Sequence, residues 1–138
     1  MVRRTIRASA DRLFEAWTDP SQLTRWWGPA GVTCPLAEVD LRVDGRYRIA
    51  NRLPDGSVVW ITGAFERIAP PHLLVYTWRL EHLEHLEQRS ERVTVRFESV
   101  EGATEVSVLH ERIADAATRK THESGWLGCL NRLEQYLV

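Results

Sequence analysis

The chain has 138 residues, of which 43% are hydrophobic and 27% are charged, a composition typical of one globular domain spanning residues 1–138. Its formal net charge of -1 gives no overall attraction to nucleic acid or to an anionic membrane surface, so neither is expected as a partner. Because the sequence has no signal-peptide core and no long apolar run, we expect a cytoplasmic protein without membrane insertion. Cys34 and Cys129 lie in no metal-binding or redox motif, and no cofactor is expected.

The first predicted elements are a strand and two short helices. Residues 2–7 alternate weakly between apolar and polar side chains, which predicts a strand. Ser9 is the expected N-cap of a first helix. Apolar residues of this helix recur at helical spacing, at Ala10, Leu13, Phe14 and Trp17. Asp19 is the expected N-cap of a second helix, which has Pro20 at its first position and ends at the glycine-rich residues 28–31.

From Val39 onward the hydrophobic pattern changes to period two, which predicts antiparallel strands joined by short turns. The first is a half-buried strand at residues 39–43, in which apolar and charged side chains alternate. Further strands are expected at residues 46–49, 57–68, 72–80, 92–99 and 104–112.

The C-terminal segment returns to helical spacing. From about Thr118 it predicts a helix roughly 30 Å long. Its apolar face carries Trp126, Leu130, Leu133 and Leu137. Gly125 and Gly128 are expected to let this helix pack closely against the sheet.

These elements predict an α+β fold in the order β-α-α-β-β-β-β-β-β-α. Such an antiparallel sheet buries one face, and the only large apolar partner for that face is the C-terminal helix. The space left between a curved sheet and a single helix is expected to form a hydrophobic cavity. The two short helices would then cover one end of that cavity.

Several motifs resemble those of one bacterial family. They are Phe14-Glu15-Ala16-Trp17-Thr18-Asp19-Pro20, Arg25-Trp26-Trp27-Gly28-Pro29, Gly45-Arg46-Tyr47, Leu74-Val75-Tyr76-Thr77-Trp78 and Leu109-His110-Glu111-Arg112. In this order they resemble bacterial homologues of the heat-shock-protein ATPase activator. That family belongs to the START-like, or SRPBCC, superfamily of pollen-allergen-like and polyketide-cyclase-like proteins. The matching motifs run from about Ile6 to the C-terminus.

The resemblance implies the helix-grip fold, in which a curved antiparallel sheet wraps around a long C-terminal helix and leaves a hydrophobic cavity. Members of the superfamily bind lipids, hormones and polyketides, and some are cyclases or hydrolases. The eukaryotic activator stimulates its chaperone with an additional N-terminal domain, for which this chain has no room, so co-chaperone activity is not expected from the resemblance alone. Asp44 departs from the pattern, because the family often has glycine at this turn.

Eight residues are candidate ligand contacts, because they are aromatic or titratable residues expected on the inner faces of the sheet and helices. They are Trp26, Trp27, Tyr76, Trp78, Phe97, His110, His122 and Trp126. Pocket-lining tyrosine and tryptophan would supply apolar area together with one hydrogen-bonding group, as small-molecule sites need. The alternative for each ring is packing in the core.

His110 is the candidate polar group of the cavity. It lies in phase with Val106 and Val108, so it is expected to face inward with them. There it would be a polar anchor or a general acid–base, or alternatively a core histidine satisfied by a neighbouring group. His122 lies one turn before Trp126 and points either into the cavity or out at the end of the helix.

A charged segment near residues 81–90 departs from the family pattern in length and charge. Within it, His82 and His85 with Glu81 and Glu84 resemble a helical metal pair, but two strong ligands are too few for a structural zinc site, and no metal site is expected. Leu83 and Leu86 in the same segment are candidates for a homodimer contact. The sequence contains no nucleophile-elbow, phosphate-loop or dinucleotide motif.

The sequence therefore predicts a protein that binds an apolar or aromatic small molecule between the sheet and the C-terminal helix. Two alternatives stay open. One is a cyclase- or hydrolase-type enzyme that uses the same cavity with His110 as its acid–base, which is less favoured than binding without turnover. The other is a protein-interaction module that contacts a chaperone or forms a homodimer.

Overall fold

The computed structural model describes residues 1–81 and 90–138 of the chain. Its elements are β1 (Val2–Ile6), α1 (Ala10–Thr18), α2 (Pro20–Trp26), β2 (Ala37–Val39), β3 (Arg46–Arg52), β4 (Val58–Ala69), β5 (Leu73–Leu80), β6 (Glu91–Val100), β7 (Ala103–Glu111) and α3 (Ala116–Leu137). Within these ranges the strands form one antiparallel sheet in the order β1-β7-β6-β5-β4-β3-β2. The α+β helix-grip architecture predicted from the sequence is confirmed.

The core lies between one face of this sheet and α3. Alternate residues of the central strands are buried there, as the period-two pattern predicts: Leu74, Tyr76 and Trp78 of β5, Val93, Val95 and Phe97 of β6, and Val106 and Val108 of β7. Helix α3 adds Trp126, Cys129, Leu130 and Leu133 to the same cluster. We call this side of the sheet its inner face.

The helix starts follow the predicted caps. The side chain of Ser9 accepts a hydrogen bond from the backbone N–H of Arg12 at 3.1 Å, and that of Asp19 accepts one from Ser21 at 3.0 Å. Asp115 caps α3 in the same way, by accepting from the N–H of Thr118 at 2.7 Å. Each cap satisfies one backbone donor that the first turn of a helix leaves without an intrahelical partner.

The predicted strand at residues 39–43 is wrong beyond Val39, because the chain turns away from the sheet there. The N–H of Gly45 donates to the carbonyl of Arg42, and a Cβ at Gly45 would lie 2.1 Å from the carbonyl oxygen of Asp40, so only glycine fits this turn. Asp44 has a φ of 66°, the left-handed region that glycine tolerates best. The apolar residues after Val39 in this segment therefore do not join the core, and Val43 is 55% exposed.

Aromatic rings fill the middle of the space between the sheet and the helices. The rings of Trp17, Trp26, Trp27 and Trp126 contact one another, with centroids 5.0 to 6.3 Å apart. The void beneath them, lined in part by Trp17, Trp27 and Tyr76, measures about 20 Å³, which is room for little more than one water molecule. The central cavity expected from the sequence is therefore closed by side chains, and open space lies elsewhere.

No helix within residues 1–81 and 90–138 is long and apolar enough to cross a membrane. The predicted histidine pair His82 and His85, and the candidate dimer residues Leu83 and Leu86, lie outside the described residues.

Candidate functional site

Open space lies between the N-terminal half of α3 and the adjoining strands. One cleft of about 200 Å³ is lined by the rings of Trp27, Trp78 and Trp126 together with Asn51, His122 and Gly125, and we call it the inner cleft. A second cleft of about 440 Å³ lies towards the start of α3 and has more polar walls, including Glu91, Asp115 and Thr118, and we call it the outer cleft. The two clefts share Trp78, Thr121 and His122, so they adjoin one another.

Two glycines on α3 shape this space in opposite ways. Gly125 lines the inner cleft, and nothing lies within 4 Å of the position that a Cβ would occupy. A Cβ at Gly128 would instead lie 2.9 Å from Cβ and 3.1 Å from Cα of Pro29. The expectation that these glycines pack against the sheet is therefore wrong for both: Gly128 packs against the segment after α2, and Gly125 leaves the cleft open.

A single arginine anchors the segment that follows α2. Nη1 of Arg132 on α3 donates to the carbonyl oxygen of Gly28 at 3.0 Å and to that of Val32. It also lies 3.4 Å from the carbonyls of Trp27 and Pro29. Hydrogen bonds from a charged donor are stronger than neutral ones, so Arg132 fixes the wall of the cleft that Trp27 and Pro29 provide.

Three polar side chains from three elements meet at the base of the clefts. Nε2 of His110 on β7 lies 2.7 Å from Oε1 of Glu91 on β6, and Nε2 of His122 on α3 lies 3.3 Å from the same oxygen. The two imidazole rings stack with centroids 4.2 Å apart. Val93 of β6 pairs with His110 of β7, and Glu91 lies two residues from Val93 on the same face of the sheet. Antiparallel pairing therefore brings Glu91 close to His110.

The hydrogen bond from Trp126 determines where His110 carries its proton. The indole N–H of Trp126 donates to Nδ1 of His110 at 3.0 Å, so Nδ1 has no proton. Nε2 therefore carries it and donates to Glu91. Burial lowers the pKa of His110, although the hydrogen bond to Glu91 opposes that shift. The imidazole is neutral in this arrangement, and both of its nitrogens are occupied.

Glu91 is the negative charge of this cluster. Burial raises the pKa of its carboxyl group, but the polar contacts with His110 and His122 outweigh burial and bring the pKa to about 2. Glu91 is therefore ionised at neutral pH, and one carboxylate oxygen faces two imidazole rings.

The composition of the cluster matches a metal site, but its hydrogen bonding opposes one. One ligand atom from each of Glu91, His110 and His122 lies within 4.8 Å of the others, and two imidazoles with a carboxylate suit several transition metals. A metal bound to Nε2 of His110 would leave the ring proton on Nδ1, where it would face the N–H of Trp126. The cluster therefore favours protons over a metal ion.

The structure separates the eight candidate ligand contacts into three groups. Trp27, Trp78, His122 and Trp126 line the inner cleft. Tyr76 lines the small void, where its hydroxyl oxygen accepts from the N–H of Trp17 at 3.2 Å. Trp26, Phe97 and His110 line neither cleft. Trp26 and Phe97 are fully buried, and the His110 side chain is 5% exposed on the inner face beneath His122.

Sequence reasoning missed several polar residues of the site, among them Glu91 and Asn51. Glu91 lies two residues before Val93, so it is on the same inner face as Val93 and Val95. The predicted strand began at Arg92 and therefore did not include Glu91. Asn51 lines the inner cleft and accepts a hydrogen bond from the N–H of Trp27 at 3.0 Å. No pattern in the sequence marked Asn51.

Comparison with known proteins agrees with this architecture. A family model described as "Activator of Hsp90 ATPase homolog 1-like protein" matches residues 7–138. A solved structure of a protein from Chromobacterium violaceum is 23% identical with a TM-score of 0.85, and the match covers 99% of this chain and 94% of that chain. A protein from Silicibacter pomeroyi is 24% identical with a TM-score of 0.83 and the same coverage.

A third structure, described as an Hsp90 activator from Plasmodium falciparum, is 28% identical with a TM-score of 0.76, and the match covers 99% of this chain and 93% of that chain. Among curated proteins, no significant match was found. The family model spans nearly the whole chain, so the chain belongs to the family of activator of Hsp90 ATPase homolog 1-like proteins.

Proposed function

We propose that this protein binds an apolar or aromatic small molecule in the inner cleft between α3 and the sheet. The observation that carries the proposal is the open space at Gly125, which faces a wall built from Trp27, Trp78 and Trp126. Concave sites with aromatic walls and a few polar groups are the usual form of small-molecule sites. The polar groups here are Asn51 and His122, together with Glu91 in the outer cleft.

The walls of the inner cleft are held in place without a ligand. Hydrogen bonds fix the rings of Trp27 and Trp126, and Arg132 fixes the segment after α2. A preformed site loses little conformational entropy when a ligand enters, which favours binding. We therefore expect a ligand to occupy the cleft without a large rearrangement of the sheet or of α3.

The occupied nitrogens of His110 argue against an enzyme that uses this residue as its acid–base. Nε2 donates to Glu91 and Nδ1 accepts from Trp126, so neither nitrogen is available to exchange a proton with a substrate. We accordingly favour binding over an enzyme that uses His110 as its acid–base.

The test compares two substitutions at Gly125. Gly125→Trp would place a bulky ring in the open space of the cleft, whereas Gly125→Ala adds one methyl group where nothing lies within 4 Å. Isothermal titration calorimetry with 4-ethylphenol and 4-ethylanisole should show binding to the wild type and to Gly125→Ala, and at least about tenfold weaker binding to Gly125→Trp. Equal affinity in all three proteins, or no binding to the wild type, would contradict the proposal.

A second candidate function is contact with an Hsp90-type chaperone. It is favoured by the 28% identity with the Plasmodium falciparum protein that is described as an Hsp90 activator. If it holds, the purified chain should raise the ATPase rate of an Hsp90 in a concentration-dependent way. An unchanged rate at saturating concentration would remove this candidate. The Gly125→Trp variant separates the two functions, because it should block the cleft and leave a surface contact intact.

A further inference from the structure

We propose that the inner cleft selects aromatic ligands that carry a hydroxyl group, and that Nδ1 of His122, with the ring oriented by Glu91, accepts the hydrogen bond from that hydroxyl. This inference rests on the proposed binding function and adds to it the chemical class of the ligand and the residue that recognises it.

The first step is the orientation of His122. Its Nε2 lies 3.3 Å from Oε1 of Glu91, and its ring stacks on that of His110. A carboxylate at this distance would repel a nitrogen lone pair, so it favours the tautomer with the proton on Nε2. In a neutral imidazole the lone pair then lies on Nδ1. Glu91 thus presents Nδ1 of His122 as a hydrogen-bond acceptor.

The second step is that this acceptor is open to a ligand. Within residues 1–81 and 90–138, every buried side-chain nitrogen and oxygen atom has a hydrogen-bond partner. Nδ1 of His122 has none among those residues, so it belongs to the accessible atoms. The ring of His122 lines both clefts, so the proposal places the ligand that reaches Nδ1 there.

A hydrogen-bond donor lies on the wall of the same clefts. The indole N–H of Trp78 also has no partner among the described residues, and by the same reasoning it is not a buried atom. Trp78 lines the inner and outer clefts together with His122, and the rings of the two residues are 6.0 Å apart. One open acceptor and one open donor therefore belong to two neighbouring residues that line the same clefts.

A phenolic hydroxyl matches this pair, because it donates one hydrogen bond and accepts another at the same oxygen. Its ring would lie against Trp78 and Trp126, where aromatic pairs gain stability beyond their apolar contact. A carboxylic acid is a poor match, because it is ionised at neutral pH and would lie close to the ionised Glu91. The cleft should therefore bind phenols in preference to their methyl ethers and to aromatic carboxylates.

The test measures the affinity ratio of 4-ethylphenol to 4-ethylanisole, which differ in the hydroxyl donor, with 4-ethylbenzoate as the anionic comparison. Calorimetry on the wild type should give a ratio of roughly 3 to 10 in favour of the phenol, the value of one net hydrogen bond, and weaker binding of the benzoate than of the phenol. His122→Phe keeps a ring to stack on His110 and removes the acceptor, so the ratio should fall to about one. His122→Leu is a second variant with the same expectation.

Glu123→Gln is the control, since Glu123 lies next to His122 on α3, is exposed and lines neither cleft. This variant should keep the wild-type ratio. A ratio of one in the wild type, or an unchanged ratio in both His122 variants, would overturn the inference while leaving the proposed binding function intact. If neither ligand binds the wild type, the proposed function fails and the inference fails with it.

Discussion

The opposite environments of Gly125 and Gly128 predict that the same substitution has opposite effects one turn apart on α3. Replacing glycine by alanine inside a helix stabilises it by about 1 kcal/mol, because the unfolded chain loses conformational freedom. Gly125→Ala should show this full gain, since its new methyl group meets no atom within 4 Å. At Gly128 the methyl group would lie 2.9 Å from Cβ of Pro29, which belongs to a rigid ring.

Forcing a methyl group into such a contact costs about 1 to 3 kcal/mol. We therefore expect Gly128→Ala to lose about 1 kcal/mol of unfolding free energy after the gain in helix propensity is subtracted. For a domain of this size, 1 kcal/mol corresponds to a change of about 4 °C in Tm. Calorimetry should place Gly125→Ala about 4 °C above the wild type and Gly128→Ala about 4 °C below it.

A double-mutant cycle separates the contact with Pro29 from other effects at Gly128. Pro29→Gly removes the Cβ atom that the new methyl group would meet, so the cost of Gly128→Ala should shrink in that background. If Gly128→Ala stabilises the protein as much as Gly125→Ala does, the close packing of α3 on the segment after α2 is wrong. An unchanged cost in the Pro29→Gly background would exclude the Cβ atom of Pro29 as its cause.

Three further predictions follow from single side chains. The carboxyl of Glu91 has its pKa lowered from 4.5 to about 2, so it stabilises the fold above about pH 4.5 and this contribution is lost as the pH falls towards 2. Glu91→Gln should cost on the order of 2 kcal/mol at pH 6 in urea unfolding, after allowance for partial exposure, and an equal cost at pH 2.5 would contradict this. Arg132→Met should cost about 2 kcal/mol and speed amide exchange in residues 28–32, whereas unchanged exchange there would refute the anchoring role. Asp44→Gly should raise the unfolding free energy by up to about 1 kcal/mol, because Asp44 has a φ of 66°, and a loss of stability would contradict the strain assigned to this turn.

The sequence predicted the order of helices and strands because these elements depend on local patterns of residues. Ser9 and Asp19 mark helix starts through hydrogen bonds within one turn, and both were read correctly. Period-two alternation placed His110 on the inner face together with Val108, and the structure has both there. Alternation failed at residues 39–43, because the fit of Gly45 against a backbone carbonyl turns the chain there, and this contact does not appear in hydropathy.

The polar parts of the site depend on contacts between distant parts of the chain, which hydropathy does not encode. Glu91 meets His122 only because β6 lies beneath α3, 31 positions later in the sequence. Arg132 reads as an ordinary helix-surface cation, yet it binds carbonyl groups about 100 residues earlier. Hydropathy also does not report how much space the packed side chains leave. It therefore did not show that aromatic rings fill the space between the sheet and the helices, or that Gly125 leaves the inner cleft open.

The most direct test of the binding site uses the indole N–H signals of the six tryptophans in a ¹⁵N-labelled sample, titrated with 4-ethylphenol and followed by NMR. Three of these residues line the inner cleft, namely Trp27, Trp78 and Trp126. Trp26 is fully buried with its N–H bonded to the carbonyl of Ala16, and the Arg48 guanidinium covers the ring of Trp60. We predict that the three cleft signals shift in a saturable way while those of Trp26 and Trp60 stay in place. No saturable shift, or the largest shift at Trp60, would contradict a ligand site between α3 and the sheet.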